Sequence, residues 1–288
     1  MVLVAPDPIR VQPTRGRPAG AAGPTLLTQL RIRPEVPPRF DGLAGGFRAW
    51  LEDAAFAAVT ARGDDAPPLS AGPRRLLGAS GGVGALDGDR PLEARVLARL
   101  VRAVFRQLVT VGMIGDPLRD ALDAVRADGG AADLVRHVET MERGAREALA
   151  RTVQVHAAHL GLVVPRFSPA CMPRSDDRVA IPLAGGRVVL AGVFDLLLDV
   201  GWSVGGEGSL CAIAVTVDGP RDRARWTLHY LALLELLRSG RPPFRLALLD
   251  SATGSYSVED VREEHLRAVA AHVAEWLGGA HGASTWDA

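Results

Sequence analysis

One carboxylate stands inside an aliphatic strand. The run from Arg187 to Val200 carries Gly192-Val193-Phe194-Asp195, with Val189, Val193, Leu196, Leu197 and Leu198 around the acid. An acid so placed is costly to ionise without a partner. Two kinds of chemistry would hold it: a hydrogen bond from backbone, Thr216 or His229, or coordination of a divalent cation, which takes several oxygen ligands. The next apolar run, Leu210 to Val217, has no charge until Asp218. A helix over Asp222 to Ser239 and the run Phe244 to Leu249 complete the block. Strict alternation places Asp195 on one face with Val193, Leu197 and Asp199, and puts Ala214 and Thr216 together on one face of the neighbouring strand.

This order of elements resembles the core of the PD-(D/E)XK nuclease superfamily, in particular its RecB-like branch. There a Gly-x-x-Asp strand precedes a strand bearing acid-x-Lys, and a Gln-x-x-x-Tyr often follows on the next helix. The likeness spans about the last 100 residues, and the stretch Leu228 to Gly240 with Pro242-Pro243-Phe244-Arg245 carries much of it. The resemblance implies that Asp195 is the retained motif acid and the metal ligand, if there is one. It also places Ala214 and Thr216 at the positions of the second acid and the lysine, and Thr227 and Leu231 at those of the glutamine and tyrosine, with a tyrosine only at Tyr230. Asp199, Glu207, Asp218, Asp222 and Glu235 are the nearby acids that could have taken over a lost role. Glu235 lies eight residues beyond Thr227, about 12 Å along a helix axis.

Arginines form the second group of candidates. Arg95, Arg99, Arg102 and Arg106 recur at helical spacing, and Arg221, Arg223 and Arg225 open the helix after the second strand. Guanidinium groups can contact phosphates bidentately, so both sets are candidate nucleic-acid-binding residues, with a solvated or acid-paired face as the alternative. Glu139, Glu142 and Glu147 interleave with Arg136, Arg143, Arg146 and Arg151, a pattern of surface ion pairs. His156 and His159 lie near a helix end and read as charged-face histidines. Gly78-Ala79-Ser80-Gly81-Gly82 matches a nucleophile elbow as text, but without the strand-to-helix setting that the elbow needs.

Composition narrows the chemistry. All 33 basic residues are arginine, so no lysine of this chain can serve in an acid-x-Lys site, a Gly-Lys-Ser/Thr phosphate loop or a Schiff base. Formal net charge is zero, so no global field draws the chain to nucleic acid or anionic lipid. Cys171 and Cys211 are the only cysteines and support neither a disulfide framework nor a zinc site. Met1 to Pro6 is too short for a secretory apolar segment, and no uninterrupted apolar run approaches about 18 residues. The expectation is a soluble, cytoplasmic protein with no membrane partner.

Around these residues the pattern predicts an irregular arm over residues 1–40, a helical region over 41–165 with a linker at 63–89, and the nuclease-like core over 166–288. Helices are expected over Gly46 to Ala61, Pro91 to Val111, Asp116 to Ala127, and Ala131 to Leu160 with Gly161 as C-cap. Val163 to Asp177 reads as loop, and Ser257-Val258-Glu259-Asp260 as a capping box opening a helix that runs to Leu277. The fold class is α/β, and the resemblance implies a restriction-endonuclease-like mixed central sheet flanked by helices, with a helical N-terminal region. The expected function is a catalytically degenerate nuclease-fold module that binds nucleic acid or a protein partner and needs no cofactor. Two readings stand beside it. One is an active deoxyribonuclease with relocated site residues, using magnesium or manganese. The other is a structural subunit that packs against a competent nuclease or helicase without touching DNA.

Overall fold

The computed structural model describes residues 25–32, 40, 42–63, 65–79, 91–112, 114–129, 132–164, 173–200, 210–217 and 221–279. The helices are α1 (Leu26–Arg31), α2 (Leu43–Arg62), α3 (Pro73–Ala79), α4 (Leu92–Thr110), α5 (Pro117–Ala127), α6 (Ala132–Thr140), α7 (Arg143–Val163), α8 (Arg221–Ser239) and α9 (Glu263–Gly279). The strands are β1 (Leu69–Ala71), β2 (Arg174–Leu183), β3 (Val188–Asp199), β4 (Leu210–Thr216), β5 (Arg245–Asp250) and β6 (Ser255–Asp260). They form one six-stranded mixed sheet with helices on both faces, an α/β architecture.

Strand β3 organises the sheet. Along one edge it pairs antiparallel with β2 from Val188 to Leu197. The other edge is divided: β1 lies parallel against Val188 to Leu190, and β4 lies antiparallel against Leu196 to Asp199. Among the described residues, Ala191 to Asp195 has no strand partner on that edge. Beyond β4, a parallel β5 and an antiparallel β6 complete the sheet. Strand β5 is buried from Arg245 to Leu249, which explains its unbroken apolar run.

Two apolar clusters cover the faces. One joins α2, α3, α8 and α9 to the sheet through residues such as Leu51, Leu190, Phe194, Leu231 and Val273. The other joins α1, α4, α5, α6 and α7 through Leu30, Val101, Phe105, Leu160, Leu196 and Val215. Helix α8 is buried continuously from Leu228 to Leu237, as its near-unbroken apolar stretch requires. Helix α5 starts as its sequence dictates: Asp116 accepts from the Arg119 N–H and Pro117 takes the first turn.

Several boundaries differ from expectation, each for a tertiary reason. The single helix expected from Ala131 to Leu160 is two, α6 and α7, divided where Glu142 adopts an extended ψ of 144°. Val135 and Val138 of α6 are then buried, and α7 continues through Gly161 to Val163. The second half of the stretch expected as loop up to Asp177 contains the start of β2, whose charged opening Arg174-Ser175-Asp176-Asp177-Arg178 hides the strand signal. The stretch read as a capping box is β6, held as a strand by the β5 edge; the helix begins only at Glu263. The linker at 63–89 contains β1 and α3, and the apolar piece around Leu26 to Ile32 is α1, capped by Thr25. Buried Arg245 anchors that piece by pairing with Asp260 and donating to the Gln29 carbonyl. No helix among the described residues is long and apolar enough to cross a membrane.

Candidate functional site

Asp195 sits where the divided edge of β3 meets β4. The β3–β4 ladder ends at the pair Leu196–Ile213. One step further, the Val215 N–H donates to Asp195 Oδ2 at 2.9 Å. The carboxylate thus takes the place of a ladder acceptor and caps the point where the two strands part. Leu190 and Phe194 pack toward α8, but Leu196 and Leu198 pack toward α4. Alternation therefore slips at Asp195. Across β2, the register Ser175–Leu196 and Asp177–Phe194 brings Asp176 opposite Asp195, and Asp176 has a positive φ of 50°. Non-glycine residues rarely adopt that conformation.

This slip corrects the expected faces. Asp195 points to the α4 side, whereas Leu197 and Ala214 pack against the α8 cluster. The small side chain at 214 and the acid therefore do not line one cleft. Thr216, at the expected lysine position, lies opposite Asp250 across the β4–β5 pair, and its carbonyl accepts from the Ser251 N–H and hydroxyl, both at 3.0 Å.

The arginine stripe of α4 converges on the same corner. Arg102 Nε lies 3.5 Å from Asp195 Oδ1, and Arg106 pairs with both Asp176 and Asp128. Arg99 reaches Asp128 at 3.4 Å. Arg95 is exposed and has no ion pair among the described residues. Burial pushes the Asp195 carboxyl above the usual carboxylate range, a tendency opposed by Arg102 and by the Val215 N–H and reinforced by Asp176. Asp128 moves the other way, held low by its hydrogen bond from Arg106. The positive charge beside the paired acids is thus supplied by guanidinium groups of the chain.

On the opposite side of β3, Gly192 has a packing role. A Cβ there would stand 2.4 Å from Leu231 Cδ2 and 3.2 Å from Leu234 Cδ1, so the missing side chain lets α8 approach the strand. Leu231, at the expected tyrosine position, fills that contact. Thr227, at the glutamine position, donates to the Arg223 carbonyl at 3.0 Å. Tyr230 reaches past them and its hydroxyl lies 3.0 Å from the Ala71 carbonyl and 3.3 Å from that of Ala191, bridging β1 to the segment of β3 that lies between its β1 and β4 pairings. Burial raises its pKa, so the phenol stays protonated as a donor. Trp226 stacks on it with ring centroids 5.6 Å apart.

The second arginine set is engaged as well. Arg221 pairs with Asp250 at 3.0 Å and contacts Ser255, and Arg223 has partners of its own. Arg225 grips Glu259 through Nε at 2.7 Å and 3.0 Å, and His229 Nε2 lies 2.9 Å from the same carboxylate. His229 stacks on His265 with centroids 4.5 Å apart. Although burial favours its neutral form, Glu259 is held down to about 2 by His229 and Arg225. The His265 pKa is lowered by burial and by His229.

Of the acids considered as replacements, Glu235 is buried and paired with Arg238, Asp199 is engaged at the end of β3, and Asp222 lies in the first turn of α8. Glu207 and Asp218 lie outside the described residues, as do Cys171 and Ser80. His156 is not on a charged face: it is buried, with Nδ1 2.9 Å from Ser251 Oγ, while His159 Nδ1 lies 3.1 Å from the Ser251 carbonyl. Since the serine hydroxyl also donates to Thr216, this pair fastens α7 to the end of β5. Asp176 is the functional neighbour that sequence reasoning missed. Its signal was present in the Asp176-Asp177 pair, but only the register of β2 brings it to Asp195.

A divalent metal does not fit this corner. Among the described residues no group of three or more His, Cys, Asp or Glu side chains lies together where it could hold a cation. One oxygen of Asp195 is already taken by the Val215 N–H, and Arg102 and Arg106 bring positive charge beside the acids. No family model and no curated protein matches this chain.

Proposed function

We propose that the chain is a catalytically degenerate member of the PD-(D/E)XK nuclease superfamily, RecB-like in type, that works as a binding module rather than as an enzyme. The observation that carries this reading is the use of Asp195. The motif acid accepts a backbone N–H and lies beside Arg102, and the carboxylate opposite it, Asp176, is itself paired with Arg106.

Further support comes from the order of the core. Strand β3 with Gly192-x-x-Asp195 is followed by antiparallel β4, helix α8 and a strand β5 parallel to β4, the sequence of elements that the resemblance implies. Gly192 and Leu231 account for how α8 crosses β3 without the motif tyrosine. The ligand is a nucleic acid or a protein partner, which could be a competent nuclease or helicase.

Incubating labelled single- and double-stranded DNA with the wild type and with Asp195→Ala, in magnesium and in manganese, tests the reading. No cleavage by either protein is expected. Metal-dependent cleavage by the wild type that disappears in Asp195→Ala would overturn it in favour of an active nuclease.

A further inference from the structure

Since the α4 arginines and those at the start of α8 are largely paired to carboxylates, positive charge open to a ligand has to be sought elsewhere. A groove of about 520 Å³ lies between α5 and the first two turns of α7, lined by Arg119, Arg126, Arg143 and Arg146 over a floor that includes Leu122 and Met141. A second concavity of about 240 Å³ continues beside α6, and Arg126 lines both. With Arg136, five arginines line the track; Arg126 also pairs with Asp123, and Arg136 with Asp133.

Each carboxylate that lines the track already has a partner. Asp116 caps α5 through the Arg119 N–H, Glu139 pairs with Arg126, and Glu147 pairs with Arg143. Arg119 and Arg146 are exposed and have no ion pair among the described residues. Arg126, Arg136 and Arg143 are paired, so the charge open to a ligand is that of Arg119 on α5 and Arg146 on α7, which line the same groove.

We propose that this track binds single-stranded nucleic acid, an inference that rests on the binding-module reading. Planar guanidiniums on both walls suit phosphates met in succession, which they can bind bidentately. A concave groove admits one strand, whose unstacked bases can meet Met141 and the guanidinium planes. A duplex, a convex rod with its bases turned inward, offers neither fit. Arg119 and Arg146 bind phosphate directly, and Arg126 joins the two halves of the path.

Fluorescence anisotropy with a labelled oligothymidylate of about 20 nucleotides, at about 50 mM salt and upward, tests the assignment. The full-length wild type should bind, with affinity falling as salt rises. Arg119→Ala with Arg146→Ala should weaken binding about 10-fold and flatten the slope of log K against log salt by about 1.4, the loss of two single-strand phosphate contacts. Arg262→Ala, a surface change on the far side of the molecule, should leave both unchanged. Circular dichroism melting confirms that the double variant folds, and Arg119→Lys with Arg146→Lys should keep the salt slope while binding more weakly. If the wild type binds but the double variant binds equally well, the groove is overturned while the binding-module reading stands. If the wild type binds no strand at low salt, the groove and the nucleic-acid arm of that reading fall together, leaving a protein partner. Displacement of the strand by polyglutamate at equal charge concentration would show a surface that selects acidity alone and would overturn the strand assignment.

Discussion

Two carboxylates on separate parts of the sheet meet arginine in opposite ways. Glu259 on β6 is held by a two-oxygen contact from Arg225 and by His229, and its pKa falls to about 2. Asp195 on β3 has one backbone N–H and an arginine 3.5 Å away, with Asp176 opposite, and its pKa rises. The Asp195 side chain is 17% exposed and that of Arg102 43%, so solvent weakens the ion pair between them. Geometry separates the two cases. A planar fork aligned with a carboxylate offsets desolvation; a single distant nitrogen does not. Ionised Asp195 is therefore a cost to the fold that its ladder-capping hydrogen bond only partly offsets.

The contrast can be broken most directly at Glu259. Glu259→Ala leaves Arg225 and the stacked histidines without their carboxylate and should cost about 2–3 kcal/mol, below the 3–5 expected of a fully buried pair because this one is partly exposed. Urea unfolding against the wild type would measure it. A loss below about 0.5 kcal/mol would place Glu259 among ordinary surface pairs. Asp195→Ala strands the Val215 N–H and should cost about 1–2 kcal/mol in the same experiment. Asp195→Asn keeps an acceptor for that N–H and removes the buried charge, so its stability should stay within about 1 kcal/mol of the wild type, with either sign. Arg102→Ala should change stability least, by less than about 1 kcal/mol, because its pair is half-exposed.

Acid titration sharpens the same difference. Glu259 has a depressed pKa, so its contribution is complete above the ordinary value of 4.5 and is lost as pH falls from there toward about 2. His265 also has a lowered pKa. As a base kept neutral by the fold, it contributes fully above its ordinary 6.5 and loses that contribution as pH falls below it. Asp195, with a raised pKa, has the opposite sign: its unfavourable contribution is greatest at neutral pH and fades as the carboxyl protonates. Stability measured from about pH 7 down to pH 3 should therefore fall less steeply in Glu259→Ala than in the wild type. In Asp195→Asn it should fall more steeply, since a contribution that improves with acid has been removed. Parallel curves for all three proteins would remove the distinction between the sites.

Much of the core was legible locally. The amphipathic spacing of α4, the Asp116-Pro117 start of α5 and the doubly buried run of β5 each follow from residues close in sequence. What escaped depended on partners far along the chain. The opening of β2 is charged because its carboxylates meet Arg106 from α4 and Arg238 from α8, so its polarity disguised a strand. Strand β6 carries helix-start residues but is claimed by the edge of β5. The break between α6 and α7 has no proline, and its nearest glycine, Gly144, falls inside the first turn of α7; the break comes with the burial of Val135 and Val138. At the site, strict alternation placed Asp195 with Leu197; a slip invisible in the residue pattern turned the acid toward α4.

By itself, then, the sequence determined which chemistry this protein lacks. A chain without lysine, with Ala214 and Thr216 beyond its Gly-x-x-Asp strand, carries no acid-x-Lys pair whatever its fold, because side-chain chemistry is a property of residue identity. Only the tertiary structure decided the surroundings of Asp195. Register brought Asp176 opposite Asp195, the parting of β3 from β4 left the Val215 N–H in need of an acceptor, and the packing of α4 delivered Arg102 and Arg106 to the same corner. Those are distances between elements far apart in the chain, and the electrostatic field that shifts a carboxylate depends on such distances rather than on sequence spacing.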